Sequence, residues 1–463
     1  MPKHRSRCAV TTRAETRPDN RLALLDQGFY AGHCAVGQQE VMQIVWLYEH
    51  AIDFDGLRRF HHNLRHGLLG RLIERSPLPF GRHRWVLDRG PSEIDIAEAA
   101  RPRAELSDWA DERSQLPVDP EAGPGWHLGV LPLTDGSTAV TLVASHYVLD
   151  GIGLLIAAIE AMLGQTRDLG YPPPGSRTRL RAVVEDSRQT ARDVPEVARA
   201  LVAFARLARR QRRDAARAAP AGRPVTHSGG DDPVILPGTT ILVDLDQWDA
   251  RAQALGGSSN TLAAGFTAKL AEHLGRRRSG DGAVTLQVVK SDRTEGDTRA
   301  VAVSFARVRI DPTRVTTDLR EARAAIKQAL RDLRDAPDLA SQLAALTPFT
   351  PKRTWRRGVD AALNDPDLPV VCSHLGDVGF SVGLLDGTHC DYAWARGTRQ
   401  HVTRQWMEET GGHLQVLSFS SPGLGKVCIH VVTYQPGAVT TKAALRELAS
   451  RTLAEFDLSG QID

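Results

Sequence analysis

Three residues in the stretch TLVASHYVLDGIGLLIAAI (141–159), namely His146, Asp150 and Gly151, are of types that do chemistry. A neutral imidazole titrates near neutrality, so His146 could take a proton from an alcohol or amine as that group attacks a carbonyl. An aspartate four residues on is poorly placed to relay the proton if it points away from the ring. Capping the next helix, or pairing with an arginine, would let it hold the loop that aims the histidine. Gly151 permits a tight turn at little steric cost. Thr141 to Ser145 form the short apolar run of a buried strand, whereas Ile152, Leu155, Ile156 and Ile159 recur at helical spacing. The titratable pair therefore sits where a strand hands over to a helix, and burying it is costly unless it is paired or used.

Other readings of His146 stand beside this one. It could be a core histidine satisfied by a backbone carbonyl. No His, Glu or Cys group with zincin-like spacing accompanies it, so no metal ligands are assigned. A serine hydrolase would carry G-x-S-x-G, which is absent, and Ser145 belongs to the strand rather than to an elbow.

At 463 residues the chain is too long for one ordinary core, so two domains are expected. Hydrophobic residues at 41% and charged residues at 24% describe a globular protein. With 58 basic against 55 acidic residues there is no concentrated basic face, and no nucleic-acid partner is expected. Five scattered cysteines argue against a disulfide framework or structural zinc and fit a reducing cytoplasm. The first 20 residues are basic and polar without an apolar h-region, and read as a disordered tail rather than a secretory signal. No run of 18 apolar residues occurs, so no membrane span is expected.

The elements that must position the pair follow from periodicity. A first lobe is expected over 21–181. In it, IDFDGLRRFHHNLRHGLLGRLIER (52–75) carries Leu57, Phe60, Leu64 and Leu68 on one helical face, with Asp53 or Asp55 as N-cap. RHRWVLD and GWHLGVLPL read as strands, the latter joined to the strand before His146 through a TDGS turn. A basic helical and Gly/Pro-rich linker is expected over 182–237, with Val197, Leu201, Phe204 and Ala208 along one side. Seven arginines (Arg199, Arg206, Arg209, Arg210, Arg212, Arg213 and Arg217) lie within it. That side is thin in bulky groups, so at most a weak, salt-sensitive contact with an anionic surface is expected. A second lobe over 238–463 mixes strands and helices, including a helix capped near Ser258 or Asn260.

The segment SHYVLDG resembles the H-H-x-x-x-D-G signature of the chloramphenicol acetyltransferase-like superfamily. Its members include nonribosomal peptide condensation domains, wax ester synthase/diacylglycerol acyltransferases and polyketide-associated acyltransferases. LPVDPEAGPGWHL, SSNTLAAGFTAKLA and VVCSHLGDVG are similar to segments of the wax ester synthase group, and the resemblance runs from about residue 21 to 450. Ser145 stands where the first histidine often is, Thr261 replaces the Asp of an Asn-Asp pair, and His374 stands in place of an Asn. DYAWARG (391–397) echoes the plant D-F-G-W-G motif in position, and reads equally as a strand-end turn.

The resemblance implies an α/β (α+β) chain of two chloramphenicol-acetyltransferase-like lobes in a V, with His146 midway along the channel between them. It implies an acyltransferase moving an acyl group from a CoA or acyl carrier protein thioester to a hydroxyl or amine acceptor. His146 would be its general base, and it would need no cofactor beyond the thioester co-substrate. An arginine of the second lobe would pair with Asp150, and Arg293 and Arg299 in KSDRTEGDTRA are the nearest-looking candidates. The Gly151 N–H, Ser373 or His374 would face the oxyanion. A monomer is expected. The rival reading is a catalytically inactive two-lobed scaffold that binds an acyl carrier or lipid.

Overall fold

The computed structural model describes residues 19–215, 232–335, 339–363, 365 and 367–463. Nearly all of the expected tail, Arg217 and the Gly/Pro-rich stretch after it lie outside the described residues.

The first part of the chain runs α1 (Leu24–Val36), β1 (Gln39–Tyr48), α2 (Phe54–Leu64), β2 (Arg71–Glu74), β3 (Arg84–Leu87) and β4 (Asp95–Ile96). Then follow α3 (Leu106–Ser114), β5 (Trp126–Pro132), β6 (Thr138–Ser145), α4 (Gly151–Met162) and the long α5 (Arg179–Ala215). The second part opens with β7 (Gly238–Asp244), α6 (Leu245–Ala254), α7 (Ser259–His273), β8 (Val284–Ser291), β9 (Val303–Ile310) and α8 (Arg320–Asp335). It continues with α9 (Leu339–Leu343), α10 (Lys352–Leu363), β10 (Val370–Asp377), β11 (Tyr392–Gln400) and α11 (Arg404–Glu409). The chain closes with β12 (His413–Ser421), β13 (Lys426–Tyr434), α12 (Lys442–Ala454) and β14 (Gln461–Ile462).

Among the described residues the strands form a sheet in the order β11-β1-β6-β5-β4, a larger one in the order β14-β7-β13-β12-β10-β8-β9, and the separate pair β2-β3. This is the mixed α/β architecture expected. β5 and β6 pair antiparallel through the TDGS turn, and β12 and β13 through SPGLG. β6 is buried at every position, because it lies between β1 and β5 with α4 packed into the same core.

Three expectations are corrected. The 52–75 stretch is not one helix. α2, capped by Asp53 accepting the N–H groups of Asp55 and Gly56, ends at Leu64. Gly67, at φ 66°, breaks the helix, and RLIE becomes β2. The helix expected within 182–237 begins at Arg179, before that stretch. Its seated side carries Ala182, Asp186, Gln189 and Ala200, so Leu201 and Phe204 are half exposed. Asp186 is the reason for that orientation, because it receives Ser76 Oγ, Arg84 and Arg177.

The third correction is topological. DYAWARG is no strand-end turn: it opens β11, which pairs antiparallel along the whole of β1 in the first sheet. Residues 238–463 therefore do not keep to one lobe. The reason lies in the side chains of the crossing segment, since Ala393, Trp394 and Ala395 join the first core. Ahead of β11, the 381–383 turn receives Trp46 Nε1 on Val382 O at 2.7 Å and Tyr48 Oη on Gly383 O at 3.1 Å.

A buried charge fastens this crossing. Arg396 donates to Gln43 Oε1 at 2.7 Å and to Asp111 Oδ1 at 2.6 Å. Lys442 of α12 meets the other Asp111 oxygen at 2.7 Å. Removing the carboxylate strands a buried guanidinium. Asp111→Ala is therefore expected to cost about 3–5 kcal/mol, read as a lower urea midpoint at unchanged slope.

Candidate active site

β6 delivers its last residue into a turn rather than on into solvent. The Ser145 N–H donates to Gly125 O at 2.9 Å, the His146 N–H to Glu40 O at 2.9 Å, and the Val148 N–H to Ser145 O at 3.0 Å. These bonds set the His146 backbone at the edge of the sheet. The imidazole is partly buried, and its Nδ1 is buried without a hydrogen-bond partner.

Asp150 is 2% exposed and is the N-cap of α4. One carboxylate oxygen accepts the Gly153 N–H at 2.7 Å. The other accepts the Ala302 N–H at 2.8 Å and meets Arg293 Nη2 at 2.8 Å. Arg293 in turn donates to the carbonyls of Asp297, Arg299 and Ala300. Arg299, the other candidate, is not a partner of Asp150. Its guanidinium is bound instead to Asp297, two residues away, and to the Asp292 carbonyl.

The crossover between β8 and β9 is thus where the second part of the chain meets the motif. Two further groups, both missed in the sequence, hold it. Asp26 of α1 accepts the N–H groups of Ala300 at 3.0 Å and Val301 at 2.8 Å, next to the Ala302 N–H held by Asp150. Burial pushes the Asp26 carboxyl above its ordinary range. Arg71 is fully buried over the Trp85 ring and donates to Val148 O at 2.8 Å and to Thr298 O. A lone Asp or Arg in a helical or strand segment carries no signal for such a bond.

Gly151 packs against both parts of the chain. A Cβ there would lie 3.3 Å from Met42 Cε and 3.6 Å from Leu375 Cδ2. Leu375 follows Ser373 and His374 on β10, so the end of that strand abuts the start of α4. His374 Nδ1 is bound to Ser418 Oγ at 2.9 Å, and burial pushes the imidazole down to about 4, so it is neutral at pH 7. Ser373 is partly buried opposite Val289 and Leu417.

Near that end of the second sheet is a cavity of about 450 Å3. Asn260 and Thr261 at the start of α7, Lys290 of β8, and Arg323, Lys327 and Arg334 of α8 line it. The last three recur at helical spacing along one side of α8. Among the described residues no group of three or more His, Cys, Asp or Glu could hold a metal ion. No described helix is long and apolar enough to cross a membrane.

No family model matches the chain, and no curated protein does. Solved structures do. The first condensation domain of the calcium-dependent antibiotic synthetase, bound to a substrate analogue, is similar over 95% of this chain and 96% of its own, at 13% identity and TM-score 0.56. A trichothecene 15-O-acetyltransferase from Fusarium sporotrichioides covers 94% of each chain at 12% identity and TM-score 0.55. A wax ester synthase/diacylglycerol acyltransferase from Marinobacter aquaeolei VT8 covers 95% of this chain and 98% of its own, at 14% identity and TM-score 0.52. The chain shares the fold of these condensation-domain and acyltransferase structures.

The clamp makes Asp150→Asn informative. The amide keeps an acceptor for Gly153 but removes the charge facing Arg293 and sets an NH2 against donors. A loss of about 3 kcal/mol is expected, read as a lowered melting temperature. The buried histidines make a separate prediction. His83, His127 and His374 are each held near 4 by burial, against an ordinary value of 6.5. Between those values the unfolded chain binds more protons than the folded one. Stability should therefore fall as pH drops from 6.5 towards 4 and these three should add no further slope below that, as followed by thermal melts across the range.

Proposed function

We propose that the chain is an acyltransferase that moves an acyl group from a CoA or carrier-protein thioester to a hydroxyl or amine acceptor. The observation that carries this reading is His146. Its ring sits at the end of a buried strand, its Nδ1 is buried and unbonded, and the next helix is clamped by a buried Asp150–Arg293 pair. With Nδ1 enclosed, Nε2 is the atom left for a substrate. The acceptor O–H or N–H gives its proton to Nε2 as the new bond forms to the thioester carbonyl carbon. Collapse of the tetrahedral intermediate breaks the C–S bond, and the imidazolium returns the proton to the departing thiolate. The Gly151 N–H, Ser373 and His374 are candidate neighbours of the oxyanion. The channel between the lobes would bring donor and acceptor to His146 from opposite sides.

The α8 cavity supports a phosphate-bearing donor. CoA and a carrier's pantetheine arm both carry phosphate, and Arg323, Lys327 and Arg334 are among the residues that line the cavity.

The test is release of free thiol from an acyl-CoA panel in the presence of hydroxyl and amine acceptors. His146→Ala is expected to lower turnover by about 10²–10⁴ with the melting temperature unchanged. Equal rates in the variant and the parent would remove His146 from the chemistry. Binding of thioesters without turnover on any pair would favour the scaffold reading.

A further inference from the structure

The first sheet sets three ionisable side chains in one row across its strands. In the β1–β11 register Glu40 stands directly opposite Arg399. In the β1–β6 register Val41 stands opposite Ser145, so one step on brings His146 opposite Glu40. The bond from the His146 N–H to Glu40 O, at 2.9 Å, shows that this step is made. Residues directly opposite in an antiparallel pair project to the same face, with Cβ atoms about 5 Å apart. Arg399, Glu40 and His146 therefore lie side by side, one from each strand, with Glu40 in the middle.

The ends of the row play different parts. Arg399 Nη2 is 2.9 Å from Glu40 Oε1. Burial alone would push the Glu40 carboxyl up, but Arg399, His146 and His33 together hold it below the ordinary carboxylate range. Glu40 is consequently an anion at neutral pH, and its proton affinity is too low for it to take a proton from the imidazole. His33 of α1 stacks on Tyr147 at 4.5 Å between ring centroids and is the remaining titratable group of that helix facing the carboxylate. The Tyr147 phenol, pushed up by burial, stays neutral. Beyond Arg399 lies His413, which burial pushes down to about 3, so it too is neutral.

His146 needs such a neighbour. A neutral imidazole can leave one nitrogen bare, but an imidazolium carries N–H on both. The buried Nδ1 has no partner among the described residues, so the charge gained when Nε2 accepts a proton has nothing bonded to answer it. The carboxylate across the strand is the group placed to do so through space, and the two charges act on one another. A surface Arg–Glu pair alone would be worth little, and the row gains its meaning from its third member.

We infer that Glu40, held ionised by Arg399, is a positioning residue that stabilises the imidazolium form of His146 during proton transfer. This inference rests on the acyl-transfer reading only for the rate it affects, since the coupling of the two side chains is a property of the protein at rest.

The experiment separates the two. The Cε1 proton of His146, assigned by its loss in His146→Ala, is titrated by NMR in the full-length parent, in Glu40→Gln and in Glu40→Asp. Glu40→Gln is expected to lower the His146 midpoint by about one pH unit, equivalent to about tenfold in proton affinity, with Glu40→Asp restoring most of it. If the parent turns over thioesters, the acid limb of kcat/KM should move down by the same amount and the plateau should fall about tenfold in Glu40→Gln. Should Glu40→Gln fold poorly because Arg399 is left unpaired, the neutral pair Glu40→Gln with Arg399→Met takes its place in the same titration. An unshifted His146 midpoint in a folded variant overturns the inference whatever the turnover shows. A parent without turnover, but with the midpoint shift intact, overturns the acyl-transfer reading and leaves the coupling standing.

Discussion

The buried carboxylate of Asp150 joins the two parts of this chain four residues after His146, the proposed base. Asp150 caps the helix after His146 and, with its second oxygen, takes a backbone N–H and a guanidinium from the β8–β9 crossover. Both partners of that ion pair are about 3% exposed. A charge so deep is tolerable because both oxygens have donors, including two main-chain N–H groups that would otherwise be unsatisfied. The arrangement removes freedom from the turn that ends β6. That turn cannot swing outwards without stranding Arg293, and the position of His146 is set by a strand on one side and this clamp on the other.

Around the clamp the crossover is gripped twice more, by Asp26 on consecutive N–H groups and by Arg71 on carbonyls of both the crossover and the motif turn. All are long-range contacts between charged side chains and main chain, which locate backbone better than apolar packing does, because each bond has a direction. The strand exchange works at a larger scale. With β11 paired along the full length of β1, the first sheet is completed by residues more than three hundred positions away. Arg396 and Arg399 of that strand reach inwards from it, one to Asp111 and Gln43 and one to Glu40. The sheet edge nearest His146 is therefore built jointly by both parts of the chain.

The histidines sort themselves by surroundings. His83, His127, His374 and His413 are all pushed well down by burial and are neutral at pH 7, His127 with Arg113 Nη2 3.1 Å from its Nδ1. His146 stands directly across a strand pair from a carboxylate, that of Glu40. Chemically identical side chains in one fold thus meet very different surroundings.

Local pattern was enough for much of this. The β5–β6 hairpin, the strand before His146, the helix after Gly151, the Asp53 cap, the helix after Ser258 and the closing hairpin and helix are each set by spacing and turn residues within about twenty positions, where periodicity and capping act. The H-x-x-x-D-G spacing likewise marked where the candidate histidine and a helix-capping aspartate would lie. What required the tertiary structure was every relation across the chain. That Arg293 rather than Arg299 meets Asp150 depends on which side of one loop faces α4, and both are arginines six residues apart. That DYAWARG is a strand of the first sheet, and that Glu40 faces both Arg399 and His146, follow from pairing between segments hundreds of residues apart. Neither a hydrophobic period nor a short motif records that pairing, because the register is settled by the buried faces of all three strands at once.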